Sequence, residues 1–385
     1  MRSHIRETFL LLLVTHFVVD CFSSALATVQ PLLSGRFSLS LAEAGILGGL
    51  WMFSSAVLQL PFGLLSDRIQ SRYFTVISPV VTAAFLSSLG LAPGFATLVG
   101  ILLVGGMGSA AYHPHNTSQA SRLGGRRRGL STAVFITVGT AGLGFGPLYL
   151  TAVIERFGFE SMWLAAVPVM ILLPVLVWRI PEPVRNSRAG MPAVDWQALR
   201  GQGRPLLALY ALVVVRSVAQ FGFAHFLSLY FVQVRGTSLA TASFALAVYF
   251  LSTSAGSFIG GAAADVFGRR TVIIASSVAS VPLLAGFVAT DGWVSILALF
   301  AGGTILLSTV PVNVVMAQEL VPSQAGTVSA LMMGFGWGTA GIAFVPAAGW
   351  LADRVGLTSV FWVLTVLPLI GVPIALRLPR DGGRR

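Results

Sequence analysis

The chain has 385 residues, 55% of them hydrophobic and 10% charged, with a mean hydropathy of +0.85 and a formal net charge of +11. That is too little polar surface to coat a soluble globule, so lipid must be the solvent for most of the chain. The single cysteine, Cys21, excludes an internal disulfide.

Apolar stretches of about 20 residues, each able to cross roughly 30 Å of hydrocarbon as a helix, recur along the whole chain. Twelve spans are predicted, at 8–33, 42–65, 73–92, 95–120, 129–154, 161–180, 204–232, 240–263, 271–290, 292–318, 324–352 and 357–377. Span 1 follows Arg2 and Arg6, and its Ala25-Leu26-Ala27 resembles a signal-peptide cleavage site. Its apolar run continues to Leu33, however, which is long enough to span and predicts a retained helix. The span carries Asp20, the one acidic residue near the middle of a predicted helix, with His16 four residues earlier on the same face. Ser23, Ser24 and Ala27 extend that face into a polar, small-residue stripe expected to line a cavity. A charge at such depth costs about 2.5–3.5 kcal/mol on insertion scales, which makes Asp20 a functional candidate.

The loop after span 2 reads Gly63-Leu64-Leu65-Ser66-Asp67-Arg68, with Arg72 close behind. Span 4 holds His113-Pro114-His115, where His113 lies deep enough to reach the level of His16. Asn116 and Thr117 share its face, His115 points about 200° away, and Pro114 is expected to kink the helix. Both histidines are candidates for proton or substrate handling, because imidazole titrates near neutral pH. Residues 181–203, rich in Pro, Gly and Arg, form a linker with a short helix expected around Val194 to Leu199, and divide the chain into 1–180 and 204–385.

Span 7 carries Arg216, with Gln220 on its face and His225 opposite. Arg216 and Asp20 both lie about 12 residues into their spans, roughly 18 Å from the cytoplasmic end, so the two are expected at one level, where they could neutralise each other. The loop after span 2 returns 198 residues later as Gly261-Ala262-Ala263-Ala264-Asp265, followed by Val266-Phe267-Gly268-Arg269-Arg270, and Pro147 is echoed by Pro346. Such a parallel duplication implies two six-helix bundles about a pseudo-two-fold axis normal to the membrane. Small residues at Ser252, Gly256, Gly260 and Ala264, and at Gly334 and Gly338, predict packing seams. Trp337, beside the second, could stack on a substrate.

All 24 basic residues are arginine. With a cytoplasmic N-terminus, 19 fall in inner segments, only Arg36, Arg156, Arg235 and Arg354 lie in outer loops, and Arg216 is inside a span. This positive-inside pattern predicts a multi-pass inner-membrane protein with both termini cytoplasmic. Sidedness accounts for the charge and leaves no basic patch for nucleic acid.

The paired loops resemble the signature of the major facilitator superfamily, although Gln70, Ser71 and Val266 depart from its usual residues. The resemblance covers essentially the whole chain and implies its all-α fold of twelve transmembrane helices in two bundles. It also implies gating roles for Gly63, Asp67, Arg68 and Arg72, and for Gly261, Asp265, Arg269 and Arg270. In that picture glycine lets helix ends pack closely, and the aspartate latches onto a neighbouring helix N-terminus, with Arg72 or Arg122 as partners of Asp67. The stretches His16-Phe17-Val18-Val19-Asp20, Ala111-Tyr112-His113-Pro114 and Ala317-Gln318-Glu319-Leu320-Val321-Pro322 resemble the fosmidomycin resistance protein branch, which implies proton-driven drug efflux. Gly142 with Gly146-Pro147 matches part of the antiporter motif of span 5.

The expectation is therefore a monomeric secondary transporter, moving a drug-like or anionic small molecule outward against protons by alternating access, with lipid around it. Asp20, His16 and His113 would couple protons, and Arg216, Gln220, Asn116, His115 and Trp337 would contact substrate. No phosphate-binding loop or nucleophile motif is present, so neither an enzyme, a cofactor nor ATP drive is expected. Import of a sugar, organic acid or peptide is one alternative. Transport of a divalent metal held by His16, Asp20, His113 and His115 is another, weakened by the divergence of the two histidines in span 4.

Overall fold

The computed structural model describes residues 2–182 and 195–379. Twelve of its helices are long and apolar enough to cross a membrane: Ile5–Phe37, Leu41–Ile69, Tyr73–Leu91, Phe95–Leu123, Arg128–Phe157, Phe159–Arg179, Gly203–Val234, Leu239–Phe267, Arg269–Ala289, Gly292–Leu320, Pro322–Val355 and Leu357–Ala375. These are spans 1 to 12 below. Among the described residues there is no strand, as hydrocarbon demands: a helix satisfies every backbone polar group within its own segment. Most of the linker, including Val194, lies outside the described residues, and its helix covers Trp196–Gly201, where the Asp195 carboxylate accepts the Ala198 N–H at 3.0 Å. Pro114 does not interrupt span 4, whose helix runs continuously from Phe95 to Leu123.

The chain forms two compact units. One comprises Met1–Leu39, Leu50–Met191 and Phe231–Ala247; the other comprises Ser40–Gly49, Pro192–Tyr230 and Val248–Arg385. In the first unit, span 5 lies against span 1 along glycines. A Cβ at Gly142 would strike the Phe17 backbone, one at Gly146 the carbonyl of Cys21, and one at Gly139 the side chains of His16 and Asp20. Gly142 and Gly146 were legible as part of a motif, and their packing gives that motif a physical reason.

The duplication also appears in the packing. Ser54 abuts Gly106 and Leu86 fills the space beside Gly105 in the first unit, while Ser252 abuts Gly303 and Leu284 fills the space beside Gly302 in the second. Both sets are 197 or 198 residues apart. The expected seam of span 8 is present: Gly256 lies against the Thr304 carbonyl and Gly260 against that of Ser308, whereas nothing lies within 4 Å of a Cβ built on Gly261. Gly261 therefore provides no close approach, in contrast to Gly63, whose Cβ would meet Pro114 at 3.4 Å. Gly260→Ala should lower stability by roughly 1–3 kcal/mol through overpacking, while Gly261→Ala should be neutral or raise it by up to about 1 kcal/mol through helix propensity. Thermal unfolding of the two single variants in detergent separates these outcomes.

The residues following each signature loop tie it to its own unit. Arg72 pairs with Glu182 (Nε to Oε1, 3.3 Å) and donates to the carbonyl of Val177 at 2.9 Å, at the end of span 6. Its counterpart Arg270 donates to the Leu376 carbonyl at 2.7 Å, after span 12, and Arg269 pairs with Glu319 at 2.6 Å. Arg122 bonds to Ser118 at 2.9 Å. The arginines expected to serve Asp67 thus bind elsewhere, because the end of a neighbouring helix offers Arg72 carbonyls and a carboxylate together. Gln70 ends span 2 in the left-handed conformation (φ 44°), the position that Gly268 fills at the second loop (φ 84°).

The capping chemistry expected of Asp67 is carried out by a different aspartate. Asp353, in a third Gly-x-x-x-Asp sequence at the end of span 11, accepts the backbone N–H of Leu41 at 2.8 Å and of Ala42 at 2.9 Å, where span 2 begins. Gly349 meets the Leu41 carbonyl, and the ring of His225 lies over Gly48 and donates to the Ala44 carbonyl at 2.8 Å. These contacts place Ser40–Gly49 in the second unit.

Candidate functional site

In the first unit, three residues expected to handle protons come together. His16 and Asp20, one turn apart on span 1, bring Nε2 to 3.4 Å from Oδ2, and His113 of span 4 brings its Nε2 to 3.5 Å from Oδ1. The other nitrogen of His16, Nδ1, lies 2.8 Å from the Phe135 carbonyl. A carbonyl only accepts, so Nδ1 carries the hydrogen and Nε2 turns to Asp20. The ring is fixed further by stacking on Phe135, with centroids 4.0 Å apart. Tyr112 stands beside both imidazoles, bonded to Thr15 at 2.8 Å and to the Leu12 carbonyl at 3.0 Å. Leu12, Val19, Tyr112, Ala120 and Phe135 form a buried apolar cluster around this arrangement. The side chains of Asp20 and His113 keep 15% and 23% of their surface exposed, so the carboxylate is reachable by a proton or small ion, while His16 is sealed at 6%.

Asn116 and His115, also on span 4, bond to other residues of the bundle. Asn116, expected to meet substrate, is fully buried; its Oδ1 accepts from Thr75 at 2.6 Å and its Nδ2 donates to the Tyr112 carbonyl at 2.9 Å, so the amide also ties span 4 to span 3. Thr75→Val should leave Asn116 Oδ1 buried without a donor and cost about 1–3 kcal/mol, read as a lower unfolding temperature with the shape of residue 75 preserved. His115 diverges as expected, bonding Gln119 at 3.0 Å and facing Phe74, and does not join His113.

In the second unit Arg216 is buried, with 6% exposure, and bonds through Nη1 to Gln220 Oε1. Span 8 supports that turn, since Tyr249 donates to the Gln220 carbonyl at 3.1 Å. Arg216 borders a pocket within this unit, together with Ser276, Ser277, Thr309 and Asn313. Arg216 Nε and Asn313 Oδ1 find no hydrogen-bond partner among the described residues. Asn313 is the counterpart of Asn116, 197 residues on, but Ile273 stands where Thr75 stands in the first half, so its oxygen lacks the donor that Asn116 has. Trp337 lies edge-on to Phe221, centroids 5.9 Å apart, against the apolar core of this unit.

The sequence model of the Major Facilitator Superfamily matches this twelve-span chain over residues 12–245 and 217–385. The chain belongs to that superfamily. It is 30% identical to the uncharacterized MFS-type transporter YfnC of Bacillus subtilis (strain 168), over 96% of this chain and 91% of the relative. It is 27% identical to the fosmidomycin resistance protein of Escherichia coli (strain K12), over 93% of this chain and 89% of that protein. In fold it matches a bacterial homolog of the human lysosomal transporter Spinster, with a TM-score of 0.79 at 16% identity, over 97% of each chain. As a superfamily member it is a multi-pass secondary transporter of small molecules, of a kind that typically works as a monomer.

Proposed function

We propose that this transporter exports small anionic, drug-like compounds from the cytoplasm in exchange for protons, with both termini on the cytoplasmic side of the inner membrane. The observation that carries the reading is Asp20, a mid-span carboxylate set between the Nε2 atoms of two imidazoles. Ionisable groups at that depth characterise proton relays, and histidine exchanges protons in the working range of such a transporter. Arg216 supports an anionic cargo, since a buried guanidinium whose partner is a neutral amide favours a negative ligand. The similarity to the fosmidomycin resistance protein supports the outward direction. Gating roles for the loops at Asp67–Arg68 and Asp265–Arg270 rest on the superfamily signature alone, and changes there should alter transport rate more than substrate preference.

The test uses purified protein in liposomes with an imposed pH gradient and a compound panel that includes fosmidomycin. Substrate moving against the proton flux supports the proposal. Substrate moving with it indicates import of a sugar, organic acid or peptide, and flux indifferent to the gradient rejects coupling.

A further inference from the structure

We propose that the His16–Asp20–His113 cluster also binds a divalent first-row transition cation, with both Nε2 atoms and one Asp20 carboxylate oxygen as ligands. The donor set is one such ions favour, since imidazole and carboxylate together suit zinc, cobalt and nickel. The ligand atoms of the three residues all lie within 4.8 Å of one another.

The spacing of these atoms fits a metal better than it fits hydrogen bonds. The separations from Asp20 are 3.4 Å to His16 and 3.5 Å to His113, beyond the 3.2 Å limit of a good N–H···O bond. Nitrogen and oxygen ligands at about 2.0–2.1 Å from a tetrahedral zinc ion lie about 3.3 Å apart; the two contacts, made to Oδ2 and Oδ1 of the one carboxylate, are already near that spacing, and with all the ligand atoms within 4.8 Å the widest pair has to close by at most about 1.5 Å. The second requirement is a fixed tautomer. Ligating histidines usually donate their other ring N–H to a carbonyl or carboxylate, which leaves the metal-facing nitrogen with its lone pair. His16 does this already: Nδ1 is committed to the Phe135 carbonyl at 2.8 Å, the ring is stacked on Phe135, and Nε2 faces Asp20. Gly139 leaves no room for the two side chains of span 1 to retreat towards span 5. Access is through the partly exposed Asp20 and His113, and three protein ligands leave the fourth tetrahedral position for water or for a donor atom of the substrate.

The site is the one assigned above to proton coupling, so a bound cation occupies the coupling group and stops exchange. The experiment titrates the full-length, detergent-purified, chelator-washed protein with cobalt(II) and follows its visible absorption, with zinc as competitor. The expected result is one cobalt per chain, a tetrahedral spectrum displaced by zinc, and a loss of affinity of tenfold or more in His16→Gln, Asp20→Asn and His113→Gln, with His115→Gln unchanged. Thermal unfolding with and without zinc keeps the test valid if a variant is less stable, because the wild-type protein should gain in unfolding temperature and the variants should not. No spectrum below millimolar cobalt, or equal loss in His115→Gln, overturns the proposal. Transport assayed in chelator separates the two readings. Chelated protein that exchanges protons but binds no cobalt removes the cation and keeps the coupling, whereas protein that binds cobalt and moves no protons does the reverse.

Discussion

Asp20→Asn is expected to yield a folded protein that no longer builds a substrate gradient from a proton gradient. A proton entering down 100 mV supplies about 2.3 kcal/mol, which at about 1.4 kcal/mol per decade sustains a substrate ratio of roughly 40-fold at one proton per cycle. The variant should fall to a ratio of one while still exchanging substrate between the two sides. Its unfolding temperature should hold or rise, because the carboxamide has the shape of the carboxylate and removes a charge that is expensive at this depth. Substrate-induced proton uptake in liposomes, measured alongside thermal unfolding, checks both parts. A variant that unfolds earlier yet still couples would make Asp20 a structural residue.

Arg216→Ala carries the second large effect. Removing a buried, hydrogen-bonded charge that a ligand neutralises typically costs 2–5 kcal/mol, so substrate affinity should fall by roughly 30-fold or more. Arg216→Lys should recover little, because an ammonium lacks the planar fork that serves Gln220 through Nη1 and leaves Nε for a ligand. The expected signature is a raised KM for anionic compounds and a smaller change for neutral ones. Equal loss for both classes, accompanied by a lower unfolding temperature, would mean that Arg216 serves only to hold span 7 to its neighbours.

Much of this architecture was legible from the chain itself. Hydropathy located all twelve spans, with ends within four residues of those predicted; span 2, for example, runs on past its apolar stretch through Ser66–Ile69. The pairing of His16 with Asp20 follows from one turn of helix, and the depth of His113 brought it to the correct level. The partners that complete the site were hidden for different reasons. The Phe135 carbonyl is a backbone group that every residue possesses, so no residue type announces it. Gly139 is one small residue among 42 glycines. The links from Arg72 to Glu182 and from Thr75 to Asn116 depend on which helices are neighbours, and a 3.6-residue period shows which face of a helix is polar without saying what stands opposite. Asn313 had a usable signal, an amide one turn beyond Thr309 in an apolar span, which becomes informative when compared with Asn116 and with the exchange of Thr75 for Ile273.

That exchange illustrates what duplication offers a membrane protein over time. Two copies of a fold begin with two copies of every buried amide, and each one left unbonded costs about 1–3 kcal/mol. Thr75 secures Asn116 in one half, whereas isoleucine at the matching position of the other leaves Asn313 without that bond. The halves then diverge in vocation while keeping a common scaffold. A chain assembled from two copies of the first half would inherit two acid–imidazole clusters and no arginine pocket, and one assembled from two copies of the second would inherit the reverse. Among the described residues the acid–imidazole cluster thus belongs to the first half and the buried arginine to the second, on scaffolds that repeat each other's packing.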